Sequence, residues 1–194
     1  MSSDRTYHHG DLRRAVLGAA LDVIRTEGPA ALSLRDLARR AGVSHAAPAH
    51  HFKDRTGLLT TIATEGYELF AAALADAPDL RERGVRYVRF AAEHPAHFQV
   101  MFQPDLCRAD DPNLLAAKER ASEELRAGVT ELPAAGRGDD ARLAGVAAWS
   151  LAHGFATLLL SGNLSGAVGD RDPEEVFRSL ADLLFDDPKS PAAE

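Results

Sequence analysis

The chain has 194 residues, 45% of them apolar and 26% charged, enough for one or two domains with a sizeable core. Its net charge of −7 speaks against a nucleic-acid ligand only until it is divided: residues 1–60 hold nine Lys/Arg against six Asp/Glu, a net +3, with five of the eight histidines, while the remainder carries −10. The single cysteine, Cys107, excludes an internal disulfide framework, and no uninterrupted apolar run approaches the ~18 residues of a membrane span.

No charged-then-apolar leader is visible, so a cytoplasmic protein without a membrane partner is expected, with Cys107 a small buried hydrophobe. No run alternates apolar and polar residues between turn signals, whereas helical periodicity recurs throughout, and the expected fold class is all-α. Residues 1–6 read as a frayed tail, as do 187–194. Leu12, Val16, Ala19 and Val23 then recur on one stripe, widened by Leu17, Leu21 and Ile24, and Gly28-Pro29 ends this first helix. Ser33 opens a second short helix with Asp36 three residues on, a capping-box spacing. Its apolar positions are Leu34, Leu37, Ala38 and Ala41, and Gly42 ends it. The stretch Gly42–Phe52 reads as a third helix, and a fourth runs from near Arg55 to about Ala75.

After Pro78 the helices lengthen. Spacing predicts one over Leu80–Glu93, a Pro95-initiated one over Ala96–Gln103, and others over Asn113–Glu131, Ala141–Leu160 and Glu174–Phe185. A Pro/Asp-rich loop at 104–112, a loop at 132–140 and a glycine-rich connection after Leu160 join them.

Two short helices joined by Ala41-Gly42-Val43-Ser44 make a helix-turn-helix. Gly42 supplies the left-handed turn residue, Val43 plugs the core and Ser44 caps the third helix. On spacing alone, a purely structural helical hairpin competes with this reading. The stretch "YHHGDLRRAVLGAALDVIRTEGPAALSLRDLARRAGVSHAAPAHHFKDRTGLL" resembles the DNA-binding domain of the tetracycline-repressor (TetR) family over residues 7–60, with its motif at 33–52. "HPAHFQVMF" and "WSLAHGF", with Trp149, His153 and Gly154, resemble a Trp-His-Gly subgroup of that family. The resemblance implies a three-helix DNA-binding head, a fourth linking helix, and a ligand-binding and dimerisation body over residues 78–186. It also implies a ligand-responsive regulator working as a homodimer on double-stranded DNA, most simply a repressor of a palindromic operator released by a small molecule. The alternative is an activator or a corepressor-dependent regulator of the same fold.

A helical wheel on Gly42–Phe52 puts Ser44, Pro48 and Phe52 inward. Ala46, Ala47, Ala49, His50 and Lys53 face outward, with His45 and His51 at the edges. Pro48, four residues past the expected cap, should forfeit a hydrogen bond to the cap carbonyl and tilt the helix start. No arginine on this face reaches for guanine, so His50 and alanine contacts to thymine methyls are expected to read bases. The family commonly has tyrosine at the position of Ala49, and this sequence departs from that pattern. The DNA-contacting set is Ser33, Arg35, Ser44, His45, Ala47, His50 and Lys53, joined by Arg5, Arg13 and Arg14, whereas Arg39 and Arg40 are read as solvated. No cofactor, metal or catalytic site is expected. His8-His9 and His50-His51 are adjacent pairs that diverge by about 100° on a helix. Cys107, His94, His97 and His153 show no spacing of nucleophile, base and orienting group.

In the body, Trp149 and His153 share a face, Phe90 and His94 make a similar pair, and Phe98 and Phe102 follow Pro95. Core packing explains such stripes, yet histidines on apolar surfaces need partners, and a ligand pocket supplies them. Phe90, His94, Phe98, Phe102, Trp149 and His153 are therefore the candidate effector contacts, for a neutral or aromatic molecule. The last two helices carry apolar faces, Leu143, Val146, Ala147, Leu151 and Phe155 on one, and Val176, Phe177, Leu180, Leu183 and Leu184 on the other. The resemblance implies that these faces, with Leu143, Leu151, Phe155, Phe177, Leu180 and Leu184, form the dimer interface.

Overall fold

A computed structural model describes the backbone of residues 4–129 and 139–185, and the side chains of residues 12–128 and 142–183. Among the described residues all regular structure is helical, as the absence of period-two patterning predicts. The order is α1 (Asp4–Glu27), a 3₁₀ turn (Pro29–Ala31), α2 (Leu34–Arg40), α3 (Ala47–Phe52), α4 (Arg55–Leu74), α5 (Leu80–Glu93) and α6 (Pro95–Met101). A second 3₁₀ turn (Pro104–Leu106) leads to α7 (Pro112–Val129), α8 (Asp139–Leu160), α9 (Ser165–Val168) and α10 (Pro173–Phe185). Two expectations change. The first helix already begins at Asp4, inside the stretch read as a tail, and the glycine-rich connection contains α9. The loop expected at 132–140 lies almost wholly outside the described residues, as do the side chains of Arg5, His8, His9 and Leu184.

The chain divides into two compact units. One comprises the residues up to Leu69 with His94–Arg120, the other Phe70–Glu93 with the residues from Ala121 onward. The first is organised on α1, whose Val16, Ala20, Val23 and Ile24 are buried with Leu37 of α2, Phe52 of α3, Leu58, Leu59 and Ile62 of α4, Val100 of α6 and Leu114 of α7. Complete burial of one such side chain contributes about 1.5–3 kcal/mol, so this cluster holds the short helices α2 and α3 in place. Helices of six and seven residues would not persist alone.

The second unit packs α5 against α8 and α10. Val85, Tyr87, Val88, Phe90 and Ala91 make the inward face of α5. The ring of Phe70 lies 5.0 Å from both Tyr87 and Phe90, and Phe155 of α8 meets Phe177 of α10 at 5.5 Å. Gly84 admits the Phe177 ring, because a Cβ there would fall 2.7 Å from it. Arg83 is buried among these apolar groups, and its guanidinium donates to the carbonyls of Leu74, Ala77 and Glu124 and to the Glu124 carboxylate. A buried guanidinium is tolerable only with such partners.

Candidate nucleic-acid interface

The turn between α2 and α3 is built by its glycine. At Gly42 φ is +67°, and the amides of Gly42 and Val43 return to the carbonyls of Arg39 and Ala38 at 3.3 and 3.0 Å, the two bonds of a Schellman motif. Val43 then packs, half-buried, on the first unit's core, as the sequence predicts. Ser33 is the N-cap of α2, but its side chain makes no capping bond and the expected box with Asp36 does not form. The Asp36 carboxylate instead binds Arg39 and Arg40 at 2.5 Å each, which holds its pKa below the usual range. Arg40 also reaches Glu27 at 3.0 Å. Both arginines are thereby held by carboxylates on the surface, a local reason for reading them as solvated.

The third helix starts later than its sequence implies. Ala47 donates to the Ser44 carbonyl at 3.0 Å, closing a turn, and Ala46 is the N-cap of α3. Ser44 is therefore not the cap, and it is exposed rather than on the inner line. This shift removes the difficulty at Pro48, which now lies in the first helical turn, where an N–H would have no partner anyway. Pro48 and Phe52 are buried and seat the helix.

The helix ends on a strained turn. Lys53 has φ +68° and ψ −62°, and the Asp54 amide donates back to the Phe52 carbonyl at 2.9 Å. This is a γ-turn of positive φ, whose non-glycine conformation costs on the order of 1–3 kcal/mol. Its surroundings hold it. Asp54 caps α4 by accepting from the Gly57 amide at 2.8 Å, which, with the nearby Arg108 guanidinium, depresses its pKa. Arg108 binds the other Asp54 oxygen at 2.7 Å. The Arg13 guanidinium stands 5.8 Å from the Phe52 ring centre.

The structure leaves Ser33, Arg35, Ser44, His45, His50 and Lys53 exposed, and Ala47 half-exposed. Arg13 and Arg14 are exposed on α1 and line a groove of about 770 Å³ with His51, Lys53, three threonines of α4 and Arg108. Arg108 and Asp54 escaped the sequence reading. Asp54 could have been seen as a cap three residues before Gly57, but its partner lies 54 residues away with no local signal.

The effector candidates fall into two groups, one in each unit. In the second unit His153 Nδ1 and the Tyr87 hydroxyl share a hydrogen bond of 2.8 Å, the Trp149 ring lies 6.0 Å from His153, and Phe90 is core. Burial lowers the pKa of His153. In the first unit His94 stands 5.7 Å from His97 and Phe98 stands 5.0 Å from Phe102. His97 is buried, its Nε2 lacks a hydrogen-bond partner, and burial drops its pKa to about 4. Of the interface candidates, Leu143 is exposed and Leu151 and Leu180 are half-buried, but Phe155 and Phe177 are consumed by their mutual packing inside the unit. Twelve residues carry Phe155 about 120° round α8 from Leu143, so the two cannot share a face. The apolar surface of the unit is Leu143, Val146, Trp149, Leu158 and Leu183. Residues Arg142–Leu160, with a mean hydropathy of 1.6, are also long and apolar enough to cross a membrane, although polar residues interrupt the run.

A glycine-turned helix pair seated on a third helix, its second member exposed, defines a helix-turn-helix DNA-binding protein. Two family models match the chain, one described as bacterial regulatory proteins, tetR family, over residues 16–62, and one as tetracyclin repressor-like, C-terminal domain, over residues 80–184. The chain belongs to the TetR family of transcriptional regulators. Neither description names the Trp-His-Gly subgroup. A solved protein of unknown function from Rhodococcus sp. RHA1 is 34% identical, with a TM-score of 0.71 over 92% of this chain and 96% of that one. PfmR, a TetR family transcriptional regulator from Thermus thermophilus, is 26% identical, with a TM-score of 0.64 over 90% of this chain and 99% of its own. NalD, the secondary repressor of the MexAB-OprM multidrug efflux pump in Pseudomonas aeruginosa, is 20% identical with a TM-score of 0.56 over 90% and 93%, and shares the fold. No curated protein matches this sequence.

Proposed function

We propose that the protein is a cytoplasmic repressor that binds a palindromic operator as a homodimer and is released by a small-molecule effector. Residues 7–60 read the DNA, and residues 78–186 dimerise and hold the effector. The observation that carries this reading is the exposed α3 with its flanking polar residues, Ser33, Arg35, Ser44, His45, His50 and Lys53. Base reading falls to His50 and to methyl contacts from Ala46, Ala47 and Ala49, and affinity rests mainly on phosphate contacts. The exposed apolar surface of α8 supports the dimer, since an interface core of this composition is withdrawn from water by a second copy. Leu143 and Val146 lead that interface, with Leu151 and Leu180 at its edge. The effector is a neutral or aromatic molecule contacting Trp149 and His153, and His94, Phe98 and Phe102 are candidates in their own right. It releases the operator by binding more tightly to a conformation in which the two heads no longer match it.

Selection of bound sequences from random duplex DNA, followed by footprinting, tests this reading. A palindrome with half-sites about one helical turn apart is expected. Enrichment of an asymmetric site, or none, would overturn it.

A further inference from the structure

We propose that Arg108 is a positioning residue for DNA recognition, clamping the strained turn by which α3 hands over to α4 and making operator affinity depend on the segment that follows α6. The proposal rests on α3 being the reading helix.

The turn at Lys53 is a conformation that a lysine adopts only when its surroundings over-determine it. Three groups do so here. The Asp54 carboxylate receives the Gly57 amide at 2.8 Å with one oxygen and the Arg108 guanidinium at 2.7 Å with the other. Gly57 provides the room, because a Cβ at that position would lie 2.0 Å from the Phe52 carbonyl oxygen and 2.5 Å from Arg108 Nη1. The guanidinium and the last carbonyl of α3 therefore both border the space that a side chain at position 57 would fill.

Arg108 is itself held. Its amide donates to Thr60 Oγ1 at 3.0 Å, and that hydroxyl donates to the Thr56 carbonyl at 2.7 Å, so backbone and side chain of one residue grip the first two turns of α4. The pair is open to solvent, with side-chain exposures of 34% for Arg108 and 59% for Asp54. An ion pair so exposed adds little to global stability, which confines its effect to the angle at which α3 leaves the motif. A displacement of the 104–111 segment would loosen that angle.

Two other roles fit the same contact and make opposite predictions. Were Arg108 a phosphate contact, its loss would weaken binding to every duplex alike and lower the salt slope by about 0.9. Were it only a screen for the Asp54 charge, removing that charge would tighten binding. Asparagine caps a helix as well as aspartate does, so Asp54→Asn removes the charge and keeps the cap.

The test uses the full chain, the duplex it enriches from random DNA and an unrelated duplex of equal length. Failure of the unaltered protein to prefer the enriched duplex would count against the DNA-reading assignment itself. Arg108→Gln should bind the enriched duplex ~4-fold more weakly, the unrelated one within about 1.5-fold of the unaltered protein, at unchanged salt slope. Arg108→Lys should fall between, Asp54→Asn should also bind more weakly, and the double variant should be no worse than the weaker single. Equal loss on both duplexes, tighter binding by Asp54→Asn, or unchanged affinity of either variant would overturn the proposal. Melting temperatures within about 2 °C of the unaltered protein separate repositioning from unfolding.

Discussion

In the first unit the long helix α1 keeps Val16, Ala20, Val23 and Ile24 at 2% exposure or less, while in the second the long helix α8 leaves Leu143 67% and Val146 52% exposed. Both helices carry more than enough apolar side chains to pack. The difference is in what covers them. The α1 stripe packs with residues of α2, α3, α4 and α6 of its own chain, and its exposed side is mixed, with Arg13, Arg14 and Arg25 beside Asp22 and Glu27. The α8 stripe is only partly met by α5 and α10 through Ala152, Phe155 and Ala156, and what remains outside is apolar, fit for another protein surface. One unit covers its long helix with its own elements, and the other leaves an apolar face of its long helix uncovered.

The largest effect should come from spoiling that uncovered face. The double variant Leu143→Glu, Val146→Glu should be monomeric by sedimentation at micromolar concentration, with operator affinity down by ~100-fold or more, since one head then binds without its partner. A dimer of unchanged mass would erase the contrast between the units. Next in size is a test inside the first unit. Burial drops the pKa of His97 from 6.5 to about 4, so the unfolded chain takes up its proton before the folded one does. Stability should therefore fall by roughly 3 kcal/mol between pH 6.5 and pH 4 and level off below, on account of this residue. Urea unfolding of His97→Leu against the unaltered protein should show that share of the acid sensitivity removed.

A smaller effect is expected at the turn under α3. Gly57→Ala drives a methyl into the Phe52 carbonyl oxygen and should cost about 2 kcal/mol in urea unfolding, with operator binding weakened alongside. Smallest is Tyr87→Phe in the second unit. Loss of the hydroxyl shared with His153 should cost about 1 kcal/mol and leave operator affinity unchanged without effector.

How much of this was legible in the sequence follows from how local each cause is. Helix α5 could be read to its end residues, Leu80 and Glu93, since apolar periodicity and flanking prolines are local signals. The glycine at position 42 announced its turn because positive φ favours glycine almost uniquely. Ser44 misled, since serine favours both caps and turns, and here the Ser44 carbonyl rather than its hydroxyl carries the structure. Periodicity also showed that α8 and α10 are apolar, yet it could not say which apolar residues the chain spends on itself, and Phe155 and Phe177 went inward. The Arg108–Asp54 pair joins residues far apart in sequence through an irregular loop, where no spacing rule applies.

The central claim, a DNA-reading head that holds its operator chiefly through phosphates, is tested most directly by measuring affinity for the selected duplex across salt concentration. With six to ten phosphates contacted by a dimer, affinity should fall by roughly 10³ to 10⁵ between 50 and 200 mM salt. An affinity that stays flat over that range would contradict it.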